Sequence, residues 1–247
     1  MLNHIELHLQ SELPFNYHMG SLFHGFLMER VSSDYGVFLH ENQLKPFSQY
    51  FRMHRDPKQA TWQVSTLDAL AYEQLLQPLL SLEQIELKYN GLTADVASVK
   101  KFKPATYEAL LDQCLVTQKP KRVVKITFET VTAFRSDKKY ILFPQMHMLF
   151  HNLASRWDAY SGPLKVYDRE IIYELAESTE VIEYRLRTNR LQIGKGFVKG
   201  FSGEAVLKLD GPDSIVRLGN LLLHYANFAG IGIKTTLGMG GVHINFD

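Results

Sequence analysis

Cysteine is almost absent from this chain of 247 residues; Cys114 is the only one. One thiol excludes an internal disulfide framework and a cysteine-rich zinc site, and it suits a reducing cytoplasm, where the chain is expected to work. No apolar run approaches the roughly 18 to 20 residues that a membrane helix needs, so no membrane partner is expected. The opening stretch MLNHIELHLQSELPF lacks the basic-then-apolar order of an export signal. A large excess of one charge is also missing. The formal net charge is +1, so nothing global announces a polyanionic partner. Hydrophobic residues at 45% and charged residues at 21% fit a globular protein with a real core.

What charge there is lies unevenly. Residues 168–183, DREIIYELAESTEVIE, hold six acids and one base, whereas residues 184–200, YRLRTNRLQIGKGFVKG, hold five bases and no acid. Those five are Arg185, Arg187, Arg190, Lys195 and Lys199. A local basic ribbon can hold phosphates whatever the total charge. A solvated strand pair that happens to be basic accounts for it equally well.

Hydrophobic periodicity divides the chain into two rounds of the same order. HIELHLQ alternates as a half-buried strand, and NYHMGSLFHGFLMERV (16–31) repeats apolar residues at helical spacing. PFSQYFRMH and ATWQVST read as strands around the turn RDPKQ. LDALAYEQLLQPLLS (67–81) reads as a helix interrupted near Pro78, and QIELKYNGLTADVASVKKF supplies more strand. VTQKPKRVVK (116–125) looks like a connection. Then VVKITFETVTAF is a strand, FPQMHMLFHNLASRWDAY a helix, VIEYRLRT and FSGEAVLKLDG strands, and PDSIVRLGNLLLHYANFA a helix with Asp213 or Ser214 as its expected N-cap. GVHINF closes the chain. The expectation is an α+β fold of two tandem ferredoxin-like (RRM-like) βαββαβ units, residues 1–118 and 119–247. Such sheets host many functions, so the fold alone decides nothing.

The stretch AGIGIKTTLGMGG (229–241) holds five of the sixteen glycines. A nucleotide P-loop needs G-x-x-x-x-G-K-[ST]; from Gly232 the next glycine is Gly238, one residue too far, and no lysine follows it. A dinucleotide fingerprint starts at Gly230 and Gly232 but meets Thr235 where its third glycine belongs. The order is also reversed, with a helix before and a strand after. What remains is a loop able to approach a ligand closely, with Lys234, Thr235 and Thr236 beside it to contact a phosphodiester backbone. A glycine-rich turn that packs against a helix is the competing explanation. His147 and His151 stand four apart, as metal ligands can, but HMLFH lacks the glutamate of a zinc protease and no third ligand is apparent. No metal or cofactor motif is present.

A helix running into GIGIKTTLGMGGV resembles the C-terminal motif of the repeat-associated RNA-processing superfamily of CRISPR systems. The pattern is most similar to that of the CRISPR repeat endoribonucleases, the Cas six family, whose G-x-G-x-K-T-x-L-G-x-G-x-V string is matched throughout. The segment SLFHGFL…VFLHENQLKPF, the length and the tandem order extend the resemblance over essentially the whole chain. It implies cleavage of CRISPR repeat RNA, the guide-RNA precursor, without metal or cofactor. The ribose 2′-OH attacks the scissile phosphate and leaves a 2′,3′-cyclic phosphate and a 5′-OH. It also implies the site: His24 and His40 as acid and base, Lys45 as a fixed cation, and a loop of Gly230, Gly232, Lys234, Thr235, Thr236, Gly238 and Gly240 that joins the basic ribbon in holding RNA. A CRISPR effector complex and a second copy of the chain are further candidate partners. By helix geometry His24 lies roughly 130° from the apolar face centred near Met19 and Phe26, so it is expected outside the core. His40, after the apolar VFL, is expected in a loop, either functional or hydrogen-bonded in the interior. The rivals to a nuclease are a non-catalytic RNA-binding subunit of the same superfamily and a small-molecule enzyme on the same fold.

Overall fold

Alternation in the first strand organises the N-terminal half. Ile5, Leu7 and Leu9 of β1 (Asn3–Gln10) are buried on one face, while His4, Glu6 and His8 point to the other. The computed structural model describes residues 1–88 and 91–246. After β1 come α1 (Gly20–Met28), α2 (Ser33–Glu41), β2 (Phe47–Met53) and β3 (Gln59–Thr66). A short helix α3 (Ala69–Ala71) runs on through a π turn at Tyr72–Leu76 and a 3-10 turn at Gln77–Ser81; the expected helix over 67–81 is thus α only over its first turn, and Pro78 stands in the first turn of the 3-10 segment. β4 (Gln84–Leu87) and β5 (Leu92–Lys101) complete the sheet, part of the turn between them lying outside the described residues. The order is β2-β3-β1-β5-β4. Its buried face packs Phe23, Phe26 and Leu27 of α1 against Trp62, Val64 and Leu79.

The second half repeats the plan. α4 (Tyr107–Leu111) continues through a π turn at Asp112–Thr117 into β6 (Val123–Thr132), the small hairpin β7 (Phe134–Ser136) and β8 (Lys139–Ile141), α5 (Met146–Tyr160), α6 (Arg169–Glu177), β9 (Thr179–Ile193), β10 (Gly196–Leu209), α7 (Asp213–Ala229) and β11 (Val242–Phe246). The larger sheet here runs β11-β6-β10-β9. With β4 set aside as an added edge, both sheets place the last strand of the unit beside the first, then the third, then the second, in wholly antiparallel pairing. That is the ferredoxin-like order in both halves, and the α+β expectation holds. No helix among the described residues is long and apolar enough to cross a membrane.

Three helices, α2, α4 and α6, are not expected from the sequence, and two others differ in their ends. The helix expected over 16–31 ends at Met28, and α2 follows as a separate element whose N-cap Ser32 accepts a hydrogen bond from the Tyr35 amide at 3.4 Å. His40 therefore stands in the last turn of a helix rather than in a loop. α4 lies just before the connection, and it buries Tyr107, Leu110 and the thiol-bearing Cys114 in the same core as Trp157 and Tyr225. α6 hides inside the acidic stretch, started by Asp168, whose carboxylate accepts from the Glu170 and Ile171 amides. At α7 the N-cap is Pro212, with no side-chain cap, instead of Asp213 or Ser214.

One buried cation ties the halves together. Arg156 on α5 is 3% exposed, although it shares its helix with Leu149, Phe150, Leu153 and Trp157 of the core. Its guanidinium donates to the Lys45 carbonyl at 3.1 Å and the Phe47 carbonyl at 3.2 Å in the first half, and to the Ala229 carbonyl and the Thr235 hydroxyl (3.2 Å) in the second. Tyr160, one turn on, donates to the Leu44 carbonyl. Replacing Arg156 by Met keeps volume but strands three carbonyls, each costing about 1–3 kcal/mol when buried without a donor. Urea unfolding of Arg156→Met should show a loss of at least about 3 kcal/mol; a loss below about 1 kcal/mol would mean that the junction does not depend on the guanidinium.

Candidate active site and RNA-facing surfaces

The glycine stretch forms the floor of the junction. Gly20 opens α1 so close to the loop that a Cβ there would lie 2.8 Å from the Leu237 carbonyl oxygen, and one on Gly238 would lie 2.8 Å from the Gly20 Cα. Gly238 also takes a positive φ of 92°, which favours glycine for a second reason. The amides of Ile231, Ile233, Gly240 and Gly241 donate to Gly240, Ala133, Val131 and the Thr130 hydroxyl, respectively. Thr235 and Thr236 are buried, and Lys234 alone among residues 230–241 is exposed, in left-handed conformation. The glycines thus let two units approach, the role that competed with a ligand cradle.

Gln49 of β2 fixes the loop against α1. Its Nε2 donates to the Gly20 carbonyl at 2.8 Å and to the Thr236 carbonyl at 2.9 Å, while its Oε1 accepts from the Trp62 indole at 2.9 Å. With both amide hydrogens and the oxygen engaged in the interior, this side chain has one orientation. Ser48 adds a hydrogen bond to the Phe228 carbonyl at 2.6 Å.

His24 lies over this junction. It is half-buried, with its ring parallel to that of Phe47 at 6.1 Å. The helical wheel of α1 correctly put it outside the N-terminal core, but its burial comes from the second half, which a one-unit wheel cannot register. Burial pushes its pKa below the usual histidine value; the Thr236 backbone pulls the other way, and the Lys45 charge lowers it further. Its Nδ1 is buried with no hydrogen-bond partner among the described residues. Lys45 lies at the end of α2, and its charge reaches His24. Its ammonium donates to the Leu39 and Asn42 carbonyls at the end of α2 and lies 3.5 Å from that of His40, so it neutralises the negative helix end. His40 itself is exposed on the final turn of α2.

The basic residues behave differently from a one-sided ribbon. All five are exposed, but strand alternation puts Arg185 and Arg187 on the face of Leu191, and Arg190 on the opposite face beside its cross-strand partner Lys199. Lys195 sits in the turn between β9 and β10. The Arg190 guanidinium lies 4.9 Å from the Phe197 ring centroid, and His18 accepts from the Gln192 amide at 3.0 Å, which docks the hairpin tip on the first half. A cavity of about 690 Å³ between the two sheets is lined by Tyr50, Arg52, Lys100, Phe102 and His243 among others, and by none of these five cations.

Sequence reasoning missed Gln49, Arg156 and Tyr160. Arg156 did carry a signal: a charged residue on the apolar face of an otherwise well-patterned helix. Gln49 carried none, because its partners come from residues 20, 62 and 236.

Two ferredoxin-like units closed on one another through a glycine loop define the class of protein, and comparison with known proteins shows which proteins it resembles. The family model described as CRISPR-associated endoribonuclease Cas6 matches residues 126–242. The Cas6 endoribonuclease of Streptococcus thermophilus is 26% identical over 225 residues, 90% of this chain and 89% of that one. A Cas6 product complex superimposes with a TM-score of 0.81 at 27% identity over 99% of this chain and 100% of its own, and a Cas6 substrate mimic complex with 0.75 at 26% over 99% of each. The chain is thus similar to CRISPR-associated Cas6 endoribonucleases over nearly its whole length.

If Arg185 holds a phosphate, Arg185→Ala will weaken RNA binding and reduce the slope of log affinity against log salt by about 0.7, the share of one contact to a single strand. An unchanged slope removes Arg185 from the interface.

Proposed function

We propose that this chain cuts CRISPR repeat RNA to release guide RNAs, and that it does so without a metal ion. Support comes from the placement of His24, Lys45 and the glycine loop at one junction, in a chain whose relatives are named CRISPR-associated endoribonucleases. His24, kept neutral by burial and by the Lys45 charge, takes the proton of the ribose 2′-OH. The freed oxygen attacks phosphorus, the bond to the 5′ oxygen breaks, and His40 gives that oxygen a proton. The products are a 2′,3′-cyclic phosphate and a 5′-OH. Lys45 acts through its fixed charge, since its ammonium already holds the helix end beside His40. Arg185, Arg187, Arg190, Lys195, Lys199 and Lys234 hold RNA phosphates, and the glycines bring the two halves close enough to share one substrate. Work on a transcript places the activity in the cytoplasm.

The decisive experiment uses repeat RNA in EDTA beside the same RNA carrying a 2′-deoxy at the cut site. Cleavage of the first and survival of the second are expected. Cleavage of the deoxy substrate overturns the mechanism, and binding with no cleavage of either returns the protein to the non-catalytic class.

His24→Ala and His40→Ala should each slow cutting by about 10²- to 10⁴-fold, the usual worth of a lost acid or base, with binding largely kept. A base whose pKa is lowered in the folded protein is already neutral at mildly acidic pH. The rising limb of kcat/KM against pH should therefore sit below about 6.5. It should move upward when Lys45→Met removes the nearby positive charge, because that charge disfavours the imidazolium. A rising limb at or above 6.5 would exclude His24 as the base.

A further inference from the structure

A second concave site lies on the other side of the glycine loop. Between the β7 end, α5, α6 and the loop is a cavity of about 640 Å³, within the range of small-ligand sites. Its apolar walls are Phe134, Met148, Ile172 and Ile233. Two imidazoles, His147 and His151, one turn apart on α5, join the Tyr167 phenol in the same wall. The His151 Nδ1 and the Tyr167 hydroxyl are hydrogen-bonded at 2.9 Å, which holds both rings, and His147 meets Tyr173 edge-on at 5.6 Å. Arg135, Arg169 and Asn152 add polar groups to the lining; both arginines are exposed, and neither forms an ion pair among the described residues. The His147–His151 spacing, unexplained as a metal site, thus belongs to a mixed aromatic and cationic pocket.

An apolar slot with fixed rings and two free guanidinium groups suits a planar ring carrying an anionic tail. Simple anion binding would leave four apolar walls unused, and a purely apolar ligand would leave two guanidinium groups unanswered. Gly232 and Ile233 line this cavity, while Thr236 lies beside His24, and Ile233 and Thr236 are at most about 11 Å apart along the chain. A strand of RNA at His24 can reach it within a few nucleotides.

We propose that this cavity binds one unpaired nucleotide of the RNA, its base against Phe134, Met148, Ile233 and the Tyr167 ring, and its phosphate between Arg135 and Arg169. This rests on the reading of the chain as an RNA-cutting enzyme. Stacking of a splayed base on aromatic side chains beside arginine is a common means of holding single-stranded RNA.

The test follows the imidazole NMR signals of His147 and His151 in the intact protein. AMP, CMP, GMP, UMP, ribose-5-phosphate and inorganic phosphate are titrated separately. At least one nucleotide should shift both signals at millimolar concentration, with ribose-5-phosphate and phosphate at least about tenfold weaker. Arg169→Ala, at an exposed position, should weaken the nucleotide about tenfold, the worth of a charged hydrogen bond. His151→Ala should raise KM for repeat RNA more than it lowers kcat. The proposal is overturned if no nucleotide moves either signal, or if ribose-5-phosphate binds as well as every nucleotide. Failure of the wild-type protein to cut repeat RNA would sink the nuclease reading while leaving the nucleotide titration to stand or fall by itself.

Discussion

The molecule depends on a guanidinium buried without a carboxylate partner among the described residues. Arg156 is desolvated enough to lower its own pKa, yet it is surrounded by neutral oxygens from both halves of the chain. A buried charge is costly unless its hydrogen bonds are made. Those bonds can be made only when the segment carrying Lys45 and Phe47, the end of α7 and the glycine loop meet in one arrangement. The cost of burying the cation is thus also what penalises every other docking of the two units. Gln49 applies the same logic with a neutral amide, and Tyr160 with a phenol whose pKa burial raises to about 12.

Seen from the junction, the glycine loop changes character. Its spacing excludes nucleotide motifs, and its backbone is mostly engaged within the protein. Its glycines are required by close approach: to α1 at Gly20, and to β2 at Tyr50, whose ring lies 2.4 Å from where a Gly241 Cβ would be. The loop places Thr236 beside His24 and Lys234 in solvent. The same close packing removes water from one side of the His24 ring, which is the physical source of its lowered pKa.

Strands were legible in the sequence because alternation survives wherever one sheet face is buried, as in HIELHLQ and GVHINF. The long helices α5 and α7 were legible for the same reason at a different period. What escaped were helices whose pattern is short or overwritten. α2 has only Tyr35 and Leu39 buried, too few to establish a period. α6 lies inside a stretch read for its charge, although only three of its nine residues, Glu170, Glu174 and Glu177, are acids. α4 precedes the connection in sequence, yet it buries its apolar side in the C-terminal core with α7. The candidate site divides similarly. His24, His40 and Lys45 were reached through motif resemblance, whereas their supports were not, since hydrogen bonds between residues more than a hundred positions apart leave no local trace. The helical wheel gave His24 the right face and the wrong surroundings, because the wall beside it is built from residues near 236.

The β9–β10 hairpin has a consequence of its own. Because its cations alternate between two faces, a nucleic acid cannot neutralise them all by lying flat on one side. A strand that satisfies Arg185 and Arg187 leaves Arg190 and Lys199 facing away, open to a second segment or to a strand that wraps around the tip. The hairpin is therefore less a platform than a spool. A polyanion whose backbone doubles back would meet more of this charge than a straight one of the same length.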